Sequence, residues 1–199
     1  MARPREFDED EVLEAALRVF WEKGYESAAL SELLEATGLT KSSLYKAFGS
    51  KEGLFWRAVE RYQRDYLDFR HDALAESTPR RIAERLLEGI IDLHGGGRNP
   101  VGCLELNTAL SGSTEAEPIR RKLVRGREVF RQRLRDRFEE TSATAPLPPG
   151  MTSDDAASFI MSLIQGLAVQ AKGGVSRETA RRVVRAALLS WPNPDGTLA

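Results

Sequence analysis

The sequence predicts an all-α fold: an N-terminal three-helix helix-turn-helix domain followed by a larger C-terminal helical domain, with about nine helices in all. Three observations carry this prediction. Apolar residues recur at three- and four-residue spacing along most of the chain. Glycines and prolines (Gly24, Gly38, Gly49, Gly173-Gly174, Pro146 to Pro149) punctuate those runs where helices stop. No segment alternates polar and apolar residues as a half-buried strand does, and no unit repeats.

The first helix is expected from Asp8 to Lys23. Asp8 caps it, Glu11 stands at the capping-box position, and Val12, Leu13, Ala16, Val19 and Phe20 form one buried face. Gly24 stops it, and Tyr25 is placed under the next helix, Ser31 to Ala36. Gly38 then supplies a sharp turn into Leu39 to Phe48, a helix closed by Gly49. Leu39, Leu44 and Phe48 face inward, which leaves Thr40, Lys41, Ser42, Ser43, Tyr45 and Lys46 outside. Such a face of hydroxyl and ammonium donors suits phosphates and base edges better than catalysis.

Bulk charge adds nothing to that reading. The 199 residues carry a formal net charge of −1, and residues 1–60 hold eight lysines or arginines against twelve acids. Local placement is more favourable, because Lys41, Lys46, Lys51 and Arg57 face only Glu52 between Thr40 and Arg57. Arg3 and Arg5 lie on a short terminal arm, read as a frayed end with phosphate or minor-groove contact as the alternative. An apolar share of 41% is enough for a core. The single cysteine, Cys103, excludes an intrachain disulfide framework and fits a reducing compartment. With no apolar run long enough to span a membrane, a cytoplasmic location is expected.

Three motifs in order now single out one family. Gly24-Tyr25 is followed by Gly38-Leu39-Thr40-Lys41-Ser42-Ser43-Leu44-Tyr45, and then by Phe48-Gly49-Ser50-Lys51-Glu52-Gly53-Leu54. These resemble the GY turn, the G-[VL]-[ST]-K-x-x-[LI]-Y helix and the F-x-[ST]-K-x-x-L linker of TetR family transcriptional regulators. The resemblance covers about residues 8–60. It implies a ligand-responsive homodimer, usually a repressor, that binds double-stranded operator DNA. Two positions depart from the pattern. Ala29 stands where the family commonly has a capping Ser or Thr, a loss of about 1 kcal/mol, and Leu34 replaces a usual alanine. Ser27 or Ser31 is expected to shift the helix start or replace the contact.

Beyond the motifs, Ser50 to about Leu74 reads as one long helix with Leu54, Phe55, Ala58, Val59, Tyr62, Tyr66 and Phe69 as its apolar stripe, a rigid connection between the two domains, 1–50 and 51–199. Thr78-Pro79 opens the next helix, which ends at Gly95 to Gly97. Val101 to Leu110 and Pro118 to about Glu139 follow, the latter with nine lysines or arginines from Arg120 to Arg137, read as a solvated face with an anionic effector or an additional DNA contact as the alternative. Thr141 to Gly150, with three prolines, is expected as a mobile loop. Thr152 to about Lys172 and a helix capped by Ser176 complete the fold. The stretches 102–110 (GCLELNTAL) and 166–188 also resemble the ligand-binding half of the family. The last two helices carry surplus small residues (Ala168, Ala171, Ala180, Ala187), which makes them the candidate dimer interface.

No catalytic constellation is visible. His71 and His94 lack metal-ligand spacing with Cys103, the glycine run follows a helix and lacks the lysine of a phosphate loop, and no cofactor is implied. The expected DNA contacts are Lys41, Lys46 and Lys51 on phosphates, with Thr40, Ser42, Ser43 and Tyr45 shared between phosphates and bases. Half-sites would lie about 34–36 Å apart on a pseudo-palindromic operator, and a small-molecule effector would release it. Polar or aromatic groups on apolar helices (Tyr66, Cys103, Asn107, Phe130, Gln165) are the candidate effector contacts. Cys103 reads first as a buried core residue, and a signalling thiol would need a lowered pKa. The competing function is a structural or partner-docking helical protein without specific DNA binding, favoured by the acidic N-terminal balance and by Ala29.

Overall fold

The computed structural model describes residues 7–94, 97, 99–110, 114–193 and 195–198. The arm with Arg3 and Arg5, and Gly95 and Gly96 of the glycine run, lie outside the described residues. Among those residues there are ten α-helices, one short 3-10 turn and no strand: α1 Glu9–Ser27, α2 Leu30–Thr37, α3 Lys41–Phe48, α4 Lys51–Asp65, α5 Phe69–Ala75, α6 Pro79–His94, α7 Leu104–Leu110, α8 Glu117–Ser142, α9 Ser153–Lys172 and α10 Arg177–Leu188.

Helix starts follow the capping residues that the sequence supplies. Asp8 accepts from the backbone of Asp10 and Glu11, Thr40 from Ser43, Ser50 from Gly53, Thr152 from Asp155 and Ser176 from Thr179. Each bond satisfies one of the amides that a helix N-terminus leaves unpaired. Gly24 interrupts α1 with φ 76° and ψ 176°. Gly38 ends α2 in the left-handed region, φ 67°, where a side chain would be strained. That glycine makes the turn between α2 and α3 possible.

One apolar cluster joins α1 to α4 and also takes in Leu93, Leu104, Ile119 and Leu123. Phe20, Trp21, Leu33, Leu44, Leu54, Phe55 and Tyr62 are fully buried in it. A second cluster is built from α6, α8, α9 and α10, with Leu86, Phe138, Ile160 and Trp191 at its centre. α4 thus shares its core with the helix-turn-helix, and packing marks no boundary at residue 50.

The helix count and one connection differ from expectation. The predicted single helix from Ser50 to Leu74 is two, α4 and α5, separated at Tyr66 to Asp68. Three-residue turn bonds close the break, Arg70 N to Leu67 O at 3.0 Å and His71 N to Asp68 O at 2.7 Å. The break seats Phe69 against Gly89 of α6, so closely that a β-carbon at 89 would lie 2.2 Å from Phe69 Cδ2. Packing over twenty residues of separation therefore overrides an unbroken local periodicity.

Other differences are smaller. Tyr25, expected under α2, packs against Phe20 and Phe55, with ring centroids 6.3 and 5.1 Å away. Of the Asp8 capping box, only the Asp8 half forms. The stretch expected as a mobile loop begins later, after Ser142, and is packed: Ala145 and Pro148 are buried, and Thr144 donates to the Ser77 carbonyl at 3.1 Å.

Candidate functional site

The outward face of α3 is assembled by burying its opposite face. Leu44 and Phe48 are in the core, while Thr40, Lys41, Ser42, Tyr45 and Lys46 are exposed and Ser43 is half-buried. Thr40 Oγ1 lies 3.0 Å from Ser42 Oγ and 2.9 Å from Ser43 Oγ, so three hydroxyls crowd the helix N-terminus. That end carries the partial positive charge of the peptide dipoles and suits a phosphate oxygen. Tyr45 is 40% exposed with Lys41 Nζ 6.0 Å from its ring centroid, a pair that presents an aromatic face and a cation together.

Lys51 is placed differently from the other lysines. Its ammonium sits 4.7 Å over the Tyr25 ring and donates to the Glu26 carbonyl at 3.4 Å. Burial holds its pKa below the usual lysine value. Lys51 thus ties the start of α4 to the end of α1, and its charge is partly withdrawn from the surface that α3 forms.

The helix α2 starts at Leu30 with Ala29 still at the cap position and no side-chain cap. The helix start is not shifted to Ser27 or Ser31. Instead Glu32 accepts from the Ala29 amide at 3.1 Å and is paired with Lys23. One end of the missing cap is thereby replaced from inside the helix.

The acids that depress the N-terminal charge are engaged on another side. Arg57 binds Glu9 at 2.7 Å, and Arg61 binds Asp10 at 2.7 Å and Glu14 at 3.2 Å. The Tyr66 hydroxyl donates to Glu14 at 2.6 Å. These bonds stitch α1 to α4 and neutralise the carboxylates there.

The five candidate effector residues do not converge. Cys103 and Gln165 line one cavity of about 20 Å³ together with Tyr62, Arg70, His94 and Glu105. Tyr66 instead joins α4 to α1 and borders a separate open groove with Arg85 and Asp92. Asn107 donates to the Trp21 carbonyl at 2.8 Å. Phe130 lies under the Arg70 guanidinium, 4.7 Å from it, and borders another open groove. Burial and the nearby Glu105 carboxylate push the Cys103 thiol up, so it is held protonated. The residues that sequence reasoning missed at this cavity are Tyr62, Arg70, His94, Glu105 and Arg127. Isolated cations and a lone histidine carry no periodic signal that distinguishes a cavity wall from a surface.

The basic face of α8 is largely paired. Arg120 and Arg121 bind Glu117, Arg131 binds Glu128 and Asp154, and Arg137 donates to the Leu74 and Glu76 carbonyls. No helix among the described residues is long and apolar enough to cross a membrane.

Known proteins match on both halves. Residues 12–58 match the model for bacterial regulatory proteins of the tetR family, and residues 81–187 match the tetracyclin repressor-like C-terminal domain. The transcriptional repressor ComR of Escherichia coli is 30% identical over 194 residues, covering 96% of this chain and 91% of its own length. The repressor AcnR of Corynebacterium glutamicum is 25% identical, covering 87% of both chains. The regulator CifR, solved as a cysteine mutant with 26-bp double-strand operator DNA, is 38% identical with a TM-score of 0.88, covering 96% of this chain and all of its own. An α3 face of exposed hydroxyls and lysines, matched along nearly the whole chain to such regulators, leads to one conclusion: the chain belongs to the TetR family and is a DNA-binding transcriptional regulator.

Proposed function

We propose that the protein is a homodimeric repressor that holds a pseudo-palindromic operator through two copies of α3 and releases it when a small molecule enters the cavity lined from α4 to α9 by Tyr62, Arg70, His94, Cys103, Arg127 and Gln165. The observation that carries this is the division of α3 into a buried apolar face and an exposed donor face. Lys41 and Lys46 take phosphates, the Thr40, Ser42 and Ser43 hydroxyls take a phosphate at the helix N-terminus and adjacent base edges, and Tyr45 reaches the groove. Lys51 acts mainly by holding α4 against α1, with its exposed part toward the backbone.

In this reading residues 1–50 are the reader and 51–199 sense and dimerise, with α4 shared between them. The exposed apolar groups of the last two helices, Val169 at 51% and Leu189 at 57%, support a dimer face there. The protein works in the cytoplasm and has no catalytic role. The docking-protein alternative drew on the acidic N-terminal balance and on Ala29, and pairing of Glu9, Asp10 and Glu14 with arginines weakens the first of these.

The test is a fluorescence titration of the full chain against DNA flanking its own gene and against a scrambled duplex. Specific binding is expected to exceed scrambled binding by about 10³-fold or more, and Tyr45→Ala is expected to erase most of that ratio. Equal affinity for the two duplexes would sink the regulator's specificity and return the docking alternative.

A further inference from the structure

The cavity beside Cys103 holds hydrogen-bonding groups that the fold leaves unused. His94 is only 3% exposed, and neither of its ring nitrogens has a partner. Arg70 Nε is likewise buried and unpartnered, its guanidinium carbon 4.7 Å from the centre of the Phe130 ring. Arg127 lines the same cavity and makes no hydrogen bond or ion pair among the described residues. Buried donors left unpaired each cost about 1–3 kcal/mol, and native proteins rarely tolerate several together. Three unpartnered buried nitrogens at one cavity, both of His94 and Nε of Arg70, with the half-exposed Arg127 beside them, point to an occupant that forms hydrogen bonds there.

Charge narrows the class. Around the cavity stand Arg70, Arg127 and Glu105, with His94 kept neutral by burial and by Arg70. The sum is one positive charge. Glu105 is already engaged, accepting from Gln63 at 2.7 Å. A monoanion brings the enclosed charge to zero, whereas a cation or a dianion leaves net charge away from water, which is costly. Most of the remaining wall is apolar, with Ile90, Leu106, Met161 and Ile164, beside the polar groups of Tyr62, Cys103 and Gln165.

We propose that this cavity is a site for a small organic monoanion, whose carboxylate is received by Arg70, Arg127 and His94 and whose short apolar tail lies toward Met161 and Leu106. Size makes binding and movement one event. A cavity of about 20 Å³ holds roughly one water, so the carboxylate displaces that volume and the tail must move the wall. The wall that yields includes Cys103, Glu105 and Leu106, and the residue before them is bonded to α1, because the Trp21 indole donates to the Gly102 carbonyl. The ligand therefore prefers a second arrangement of the segment that holds α1, which is what a shift of populations requires.

This inference rests on the effector reading of the cavity, and the experiment separates the two. The full chain is heated with acetate, propionate, butyrate or benzoate, each against its amide and against sodium chloride at equal ionic strength. Release of labelled operator DNA is followed in parallel. The expected result is a saturable rise in Tm with at least one carboxylate and none with its amide. Arg127→Gln and Arg70→Gln are each expected to weaken that carboxylate about tenfold or more. Arg127 is partly exposed, so its variant keeps the test sound should the Arg70 variant unfold. Equal action of amide and carboxylate, unchanged affinity in Arg127→Gln, or no carboxylate response up to about 10 mM overturns the ligand class. A carboxylate-specific rise in Tm without DNA release upholds the ligand class and sinks the effector reading instead.

Discussion

The Asn107 side chain donates to the Trp21 backbone carbonyl at 2.8 Å, which fastens the first helix of the DNA-reading unit to the wall of the central cavity. Trp21 returns a bond through its indole nitrogen to Gly102, so α1 and the segment leading into α7 grip each other twice. Trp21 is fully buried, with Tyr62 and Tyr66 in edge contact at 4.7 and 5.0 Å. Asn107→Ala leaves the Trp21 carbonyl without that donor. The expected loss is about 1–2 kcal/mol, read as a lower urea midpoint with an unchanged slope, because the core remains packed.

The two lysines of the motif should separate by what they change. Lys46 is exposed and not engaged over a ring, so Lys46→Ala is expected to lower the salt dependence of DNA binding by about one phosphate contact. Lys51 is partly spent on Tyr25 and Glu26. Lys51→Ala should therefore lower thermal stability more than Lys46→Ala does, while changing the salt slope less. Affinity titrations across a salt series, beside melting curves, decide it. The reverse ranking would mean that Lys51 leaves Tyr25 on binding DNA.

These contrasts show where local sequence carried structural information. The caps at Asp8, Ser50 and Ser176 and the turn at Gly38 depend on residues within three or four positions and were legible, whereas the caps at Thr40 and Thr152 were not singled out. The reading face of α3 followed from Leu44 and Phe48 alone. The break at Tyr66 to Asp68 was not legible, since no proline or glycine marks it and the packing partner of Phe69 beside it, Gly89, lies twenty residues away. The cavity failed for a related reason. Tyr66, Asn107 and Phe130 were chosen as polar or aromatic groups on apolar helices, and such groups serve helix-to-helix bonds as readily as ligands. Arg127 belonged to a face read as solvated and Arg70 was not singled out, and the fold places both half-buried at the cavity wall.

His94 makes stability depend on pH with a definite sign. Burial, with Arg70 adding repulsion, holds its pKa down to about 4 in the folded chain, against an ordinary value of about 6.5 when unfolded. Between those values the unfolded chain binds the extra proton. The stabilisation is therefore fully present above the unfolded pKa and is lost as pH falls through the folded one. The limiting slope for one proton is about 1.4 kcal/mol per pH unit. Urea unfolding of the native chain and of His94→Gln across this window should show a steeper loss in the native chain. Parallel curves would mean that another group carries the acid sensitivity.

Gly89→Ala sets two effects against each other. In an ordinary helix interior the exchange stabilises by up to about 1 kcal/mol, because glycine is the poorer helix former. Here the new methyl would meet Phe69 at 2.2 Å from Cδ2 and 2.6 Å from Cε2. Phe69 packs on both apolar clusters, so its ring cannot swing away without opening one of them. Overpacking of this kind costs about 1–3 kcal/mol, and a contact this close belongs at the upper end. The net expectation is a loss, seen as a lower Tm for Gly89→Ala. Removing the ring should restore the usual helix preference, so in a Phe69→Leu background the same Gly89→Ala change is expected to be neutral or stabilising. If Gly89→Ala stabilises the native chain, Phe69 is not what breaks α4 from α5, and the break must be attributed to Leu67, buried beside it.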